Sequence, residues 1–202
     1  MAIGAALLFN IKLPINFNSP YKATNIQDFW RRWHITLSRF LKDYIYIPLG
    51  GNRKGNFKTY GNLMATFVLG GLWHGAGWTF IFWGFLHGMA LVIHRAWNQL
   101  GFKMNKVVAW FITFNFINIA WVFFRAKEWD DALKVLGGMF RFGEILYINI
   151  VEIFCLAIVI FIVLYMKNSI EIVEKIKMNR ALSIFIGFLL FISITIFEIR
   201  SS

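Results

Sequence analysis

A histidine surrounded by glycines is the residue of this chain best suited to acid–base chemistry. It is His74, in the sequence GGLWHGAGW at positions 70–78. Across residues 60–94 there is no Lys, Arg, Asp or Glu, and three histidines, His74, His87 and His94, are the groups there that can change charge near neutral pH. Ionisable groups in so apolar a region are costly and tend to be functional. An imidazole removed from water stays neutral, which is the form that a general base needs.

The elements that position His74 are indicated by its neighbours. Glycines on both sides free the backbone to leave a helix, so we predict a helix break at His74. Inside a membrane such a break is tolerated only where the exposed peptide groups are buried in protein or line a cavity. His87 and His94 lie seven residues apart on one helix face, and we predict that they are packing and interface residues.

Composition defines the class of protein. The chain has 202 residues, of which 58% are hydrophobic and 19% aromatic, whereas soluble domains are about 45–50% apolar. The fold class predicted is an all-α polytopic membrane protein with about five membrane-embedded helical segments and an amphipathic interfacial helix. Membrane topology explains the net charge of +11 more simply than nucleic acid does, and no nucleic-acid partner is expected. The one cysteine, Cys155, excludes an intrachain disulfide and a cysteine-based metal cluster, and no metal site is expected.

The organisation predicted is a single membrane domain over residues 1–202. Its parts are a loop and interfacial helices (12–58), a histidine-bearing hairpin (60–94) and three further membrane helices (107–124, 150–166 and 181–197). The first eleven residues are apolar but reach only about half way across a bilayer core of about 30 Å. A start inside an apolar segment indicates a chain cut from a longer one.

The interfacial helix is predicted to begin after Asn25, a favourable N-cap residue, and to continue without interruption. Arg31, Arg39 and Lys42 fall on its polar face, and His34 lies on the border between the two faces. A helix with this pattern lies in the membrane interface. The residues of its apolar face are Ile26, Phe29, Trp30, Trp33, Leu37, Phe40, Leu41 and Tyr44.

A glycine-rich basic turn, residues 48–55, follows this helix. It fits a cytoplasmic loop that obeys the positive-inside rule. The alternative is a phosphate site in which backbone donors, Arg53 and Lys54 hold the phosphates of a ligand such as coenzyme A.

Loop charges predict the direction of each segment. Residues 22–58 hold eight basic and two acidic side chains, net +6, and residues 95–106 hold three basic ones, net +3. Residues 125–146 balance four against four, and residues 167–180 hold four basic and two acidic, net +2. The loops 22–58, 95–106 and 167–180 are therefore predicted to be cytoplasmic. The loop 125–146 and the C-terminal tail are predicted to lie outside. Both ends of the hairpin are then cytoplasmic, and fourteen residues from Tyr60 to Trp73 rise only about 21 Å, which places His74 within the membrane.

Five motifs in residues 14–140 resemble those of the membrane-bound O-acyltransferases, and in particular the branch of bacterial alginate and peptidoglycan O-acetyltransferases. A more distant similarity is to the protein that transfers D-alanine to teichoic acid. The motifs are NFNSPY (16–21), FWRRWHITLSRFL (29–41), DYIYIPLGGNR (43–53), LGGLWHGAGW (69–78) and WVFFRA (121–126).

The resemblance implies a catalytic role for His74 and a second functional histidine at His34. It further implies a cytoplasmic acyl donor, acetyl-CoA, with no permanently bound cofactor, and a tunnel through a bacterial cytoplasmic (inner) membrane protein. The acyl group would pass to a hydroxyl of an extracytoplasmic polysaccharide, or to an extracytoplasmic acetyltransferase partner. Candidate oxyanion donors are His34 or backbone amides at 75–77.

Two other functions fit parts of the sequence. Paired histidines on membrane helices can ligate the iron of an intramembrane haem. The chain can also be a non-catalytic membrane subunit that docks an extracytoplasmic acetyltransferase. Both remain open at the level of the sequence.

Overall fold

The structure, a computed structural model, describes residues 2–141, 149–175, 184–185, 187–189 and 192, and the regular secondary structure in them is helical. These ranges contain no β-strand, so the all-α prediction is confirmed for them. The chain divides into two compact units, residues 1–166 and 167–202. The first holds α1 (Ala2–Leu8), α2 (Ile26–Arg32), α3 (Ile35–Leu41), α4 (Gly55–His74), α5 (Trp78–Gln99), α6 (Lys106–Arg125), α7 (Trp129–Met139) and α8 (Ile150–Tyr165), and the second holds α9 (Ser169–Lys175).

The hairpin of α4 and α5 is the centre of the first unit. A Cβ on Gly71 would lie 2.3 Å from the carbonyl oxygen of Phe80, and one on Gly84 would lie 2.3 Å from that of Phe67. Only glycine permits backbones to approach this closely, as in many membrane helix pairs. The two helices pack tightly, and α4 begins at Gly55 and contains 20 residues. The helix is therefore about 30 Å long instead of the expected 21 Å, because the polar turn before Tyr60 is helical too.

The predicted uninterrupted interfacial helix is wrong, because the chain breaks between α2 and α3. Trp33 is extended, and His34 has left-handed backbone angles (φ 43°, ψ 57°). The N-cap role of Asn25 is confirmed, since its side chain accepts a hydrogen bond from the Asp28 amide at 2.7 Å. A π-helical segment, Lys42–Tyr46, follows α3.

The cause of the break is a pairing with residues 16–18. The Ile35 amide donates to the Asn16 carbonyl at 3.0 Å, and the Asn18 amide donates to the Arg32 carbonyl at 2.9 Å. These bonds satisfy peptide groups that a broken helix leaves unpaired. The local pattern of α2 and α3 does not contain this long-range partner.

Buried aromatic side chains of α2, α4, α5 and α6 form the core. Phe29 and Trp30 of α2 are 2% and 7% exposed, and Phe67 of α4, Trp83 of α5 and Phe123 of α6 are also buried. The core therefore lies where α2 packs on the α4–α5 hairpin.

One helix among the described residues, α6, is long and apolar enough to cross a membrane, with a mean hydropathy of 1.9. The 16-residue α8 is apolar and exposed over most of its length, but it is shorter. The predicted number of five membrane segments is not tested by these features, and the segment 181–197 lies almost entirely outside the described residues. The sequence reasoning missed α7, a short helix whose first turn carries Asp130 and Asp131.

Candidate active site

His74 is the last residue of α4, so the predicted helix break is confirmed. The Gly75 amide closes the helix by donating to the Leu72 carbonyl at 3.2 Å. In the described ranges no hydrogen bond engages the His74 ring, which is half-buried. Aromatic rings pack on it from three helices, with centroid distances of 4.9 Å to Trp73, 6.4 Å to Phe80, 5.4 Å to Trp83 and 5.0 Å to Phe124. The polar nitrogens of the His74 imidazole are therefore surrounded by aromatic rings.

Helix α5 begins four residues after His74. Gly77 is its N-cap, and the Gly77 carbonyl accepts from the Phe80 and Ile81 amides. Of the three backbone amides expected to be free, that of Gly75 is occupied by Leu72. The start of a 22-residue helix carries a partial positive charge, and this charge lies beside His74.

His34 lies at the break between α2 and α3. Its Nδ1 atom is buried and has no hydrogen-bond partner among the described residues, and its ring contacts Phe17 with a centroid distance of 6.1 Å. The helix that it begins, α3, packs on α4 through Leu41, a methyl of which would lie 3.3 Å from a Cβ on Gly70. The structure therefore places His34 at the start of a helix that packs on α4, the helix that ends at His74.

The C-terminal turns of α6 join the surroundings of both histidines. Trp121 contacts Trp33 with a centroid distance of 5.1 Å, and Phe124 contacts His74 at 5.0 Å. The motif WVFFRA therefore contributes aromatic rings around His74 and next to His34.

A cavity of about 820 Å³ opens between α2, α3, α4 and α5. Four cationic side chains, Arg31, Arg39, Lys42 and Arg95, line it, and the described lining contains no Asp or Glu. The other lining residues are Gln27, Trp30, Ile35, Ser38, Leu41, Tyr46, Asn52, Leu63, Thr66, Phe67, Leu91, His94, Asn98 and Gln99. We call this space the basic cavity.

Two groups in the basic cavity favour an anionic ligand. The Nε atom of Arg95 is buried and has no hydrogen-bond partner among the described residues. Burial raises the pKa of the Tyr46 hydroxyl, and the opposing effect of the Arg95 charge is smaller. Tyr46 therefore stays protonated at neutral pH and is a hydrogen-bond donor.

Arg53 and Lys54, the residues predicted to bind phosphate, are exposed in the turn before α4. They do not line the basic cavity, although the preceding residue, Asn52, does. Their proposed contact with a ligand stays a prediction.

His87 is a residue whose environment the sequence reasoning did not anticipate. It has no exposed surface, and its Nδ1 accepts a hydrogen bond from Trp30 Nε1 at 3.2 Å. A signal for its burial was present, since Gly84 and Gly88 flank it at the spacing typical of tightly packed membrane helices. Its partner on α2, 57 residues away, was not visible in the pattern.

The model of the membrane-bound O-acyltransferase family matches residues 1–127, and the chain belongs to that family.

Three relatives illustrate the similarity. The chain is 69% identical over 143 residues to the peptidoglycan O-acetyltransferase of Helicobacter pylori, covering 69% of this chain and 27% of that protein. It is 49% identical over 144 residues to the probable alginate O-acetylase AlgI of Pseudomonas aeruginosa, covering 71% and 28%. To the teichoic acid D-alanyltransferase of Bacillus subtilis it is 31% identical over 144 residues, covering 62% and 36%. The chain thus spans about a quarter to a third of the length of these relatives.

Proposed function

We propose that this chain is part of an O-acetyltransferase of the bacterial cytoplasmic membrane. It takes acetyl from cytoplasmic acetyl-CoA for the O-acetylation of an extracytoplasmic polysaccharide. The observation that carries this proposal is the position of His74 at the break of α4, enclosed by aromatic rings, on the same helix pair that walls the basic cavity. Membership of an O-acyltransferase family supports it.

The chemistry assigned to His74 is general base catalysis. The hydroxyl oxygen of the acceptor attacks the carbonyl carbon of the thioester while His74 accepts the hydroxyl proton. The carbon–sulfur bond then breaks, and the proton moves from His74 to the departing thiolate. The partial positive charge at the start of α5 stabilises the intermediate oxyanion, and His34 is the second candidate for this role.

The donor's phosphates bind in the basic cavity. Four cations without a carboxylate provide the charge that phosphates require, and guanidinium groups bind them in a fork geometry. Arg53 and Lys54 contribute from the exposed turn next to Asn52. Loop charges favour a cytoplasmic location for residues 22–58 and 95–106, from which the cationic lining residues come, so the cavity opens to the side where acetyl-CoA is made.

The acceptor is an extracytoplasmic polysaccharide such as peptidoglycan or alginate, with an extracytoplasmic acetyltransferase as partner in completing the transfer. This part of the proposal is supported by the names of the relatives. It is also supported by the loop charges, which place the C-terminal end of α6 on the outer side of the membrane. In this proposal the chain is a multi-pass protein of the inner membrane.

The test supplies radiolabelled acetyl-CoA to the cytoplasmic face of membrane vesicles that contain the protein. We expect label in extracytoplasmic polysaccharide, and none with vesicles that lack the protein. Label that remains in acetyl-CoA while polysaccharide is acetylated from another donor would contradict the donor assignment. A purified protein with the Soret absorption of haem would instead favour the haem alternative.

A further inference from the structure

The buried imidazole of His87 has a defined hydrogen position. An indole nitrogen only donates hydrogen bonds, so His87 Nδ1, which accepts from Trp30 at 3.2 Å, carries no hydrogen. The ring is therefore neutral, and its hydrogen is on Nε2. Trp30 acts here as a positioning residue that selects this tautomer.

Two buried donors, on rings that are in contact, have no acceptor among the described residues. The Nε2 atom of His87 and the Nε1 atom of Trp83 are both buried and have no hydrogen-bond partner within the described part of the chain. Their rings are in contact, with centroids 4.7 Å apart. A buried donor without an acceptor costs about 1–3 kcal/mol, and most such groups in native proteins have a partner. Two adjacent ones indicate that an acceptor binds here when the protein works.

These donors lie between the basic cavity and His74. Leu91 and Arg95 of α5 line the cavity, His87 is one turn beyond Leu91, and Trp83 is one turn further. The Trp83 ring contacts the His74 ring at 5.4 Å. The distance along α5 from Arg95 to Trp83 is 12 residues, or about 18 Å. Both donors therefore lie on the stretch of α5 between the cationic end of the cavity and the contact with His74.

We propose that His87 Nε2–H and Trp83 Nε1–H bind an amide carbonyl oxygen in the pantetheine arm of the acyl donor. The inference rests on the proposed function, because it takes acetyl-CoA as the ligand of the basic cavity. A pantetheine arm is thin and uncharged and carries two amide carbonyls, which are acceptors without charge. Neutral donors in an aromatic wall suit these groups, whereas the phosphates stay with the four cations of the cavity.

The test compares two donors in membranes that contain the protein. S-acetylpantetheine carries the amides without the nucleotide phosphates, and the acetyl thioester of a plain alkanethiol of similar length carries neither. Trp83→Phe removes one N–H and keeps an aromatic ring. We expect kcat/KM to fall about 3- to 10-fold for S-acetylpantetheine, the effect of one neutral hydrogen bond, with no change for the alkanethiol thioester. Trp97→Phe, which removes an exposed indole of the same helix, is the matched control and changes neither rate.

A second pair of variants tests His87 directly. His87→Gln keeps an acceptor for Trp30 and a donor for the ligand, so it should retain more transfer from S-acetylpantetheine than His87→Leu does. Equal losses for both donors would overturn the proposal, since they would show a packing role. Unchanged rates in Trp83→Phe would overturn it as well, because the donors would then bind only water. Failure of the proposed function has a different signature, namely no acetyl transfer from acetyl-CoA by the unaltered protein.

Discussion

The side-chain oxygen of Asn16 accepts two hydrogen bonds from Thr36, one from its backbone amide at 3.0 Å and one from its hydroxyl at 2.6 Å. Together with the Asn16 carbonyl, which accepts from Ile35, these bonds hold the start of α3 directly after His34. A loop residue 18 positions before His34 thus fixes the break at which that histidine lies.

Asn16→Ala should therefore displace His34 without altering any residue of the site. Asn16 is half-buried, and each hydrogen bond lost costs about 0.5–1.5 kcal/mol; we expect acetyl transfer to fall at least 10-fold while the protein is still inserted in the membrane. Acetylation assays at equal protein level measure this. Asn16→Asp, which keeps the accepting oxygen, is the matched control and should retain most activity; equal activity in both variants would contradict the positioning role.

The sequence predicted the helix break at His74 but not the helix break at His34. The glycines around His74 are a local signal for a helix break, and the break is present. The break at His34 depends on Asn16 and Asn18, which are distant in sequence, while the apolar spacing from Ile26 to Tyr44 continues across it. A periodic pattern therefore indicated one helix where tertiary hydrogen bonds produce two.

The basic cavity could not be predicted from the sequence for a related reason. Arg31 and Arg39 occupy the polar face of their helices, which in sequence is typical of exposure to water. The fold turns that face toward Arg95 of α5, and no local pattern shows that pairing. His87 was likewise interpreted as a packing residue; it is buried, and its bond to Trp30 joins separate helices.

The close approach of α4 and α5 predicts a large effect of one methyl group. Gly71→Ala would place a Cβ 2.3 Å from the Phe80 carbonyl oxygen, so we expect destabilisation by about 1–3 kcal/mol. Thermal unfolding in detergent measures the change. Gly61→Ala on the same helix meets no atom within 4 Å and should stabilise by about 0.5–1 kcal/mol. A Gly71→Ala protein as stable as the Gly61→Ala protein would exclude the packing described for the hairpin.

The basic cavity predicts which cations the donor requires. Arg95→Gln and Arg39→Gln should each raise the KM for acetyl-CoA about 10-fold or more, since a charge-assisted hydrogen bond contributes about 1.5–3 kcal/mol. The KM for S-acetylpantetheine, which lacks the nucleotide phosphates, should not change. Lys127→Gln, in the exposed turn after α6, is the control.

Arg53→Gln and Lys54→Gln test the turn before α4 in the same assay. Because neither side chain lines the basic cavity, we expect rises of only about 2- to 3-fold, and these should diminish at high salt. Rises larger than those of Arg95→Gln would place the phosphates at the turn and not in the cavity.

The orientation inferred from loop charge can be measured with cysteines. Cys155 is exposed, so the background variant is Cys155→Ser. Asp130→Cys, on the exposed first turn of α7, should react with a membrane-impermeant maleimide in intact cells, whereas Lys103→Cys should react only after permeabilisation. The reverse pattern would invert α6 and move the basic cavity to the outer side.

The role of His74 as the base is the central claim, and its removal tests that claim most directly. The measurement is the rate of polysaccharide acetylation by His74→Ala, at equal protein level and with Asn115→Ala as a control on the exposed face of α6. We expect a loss of about 10²- to 10⁴-fold, the usual contribution of a general base, and no loss in the control. Full activity of His74→Ala would contradict the account and would leave the chain as a docking subunit for another enzyme.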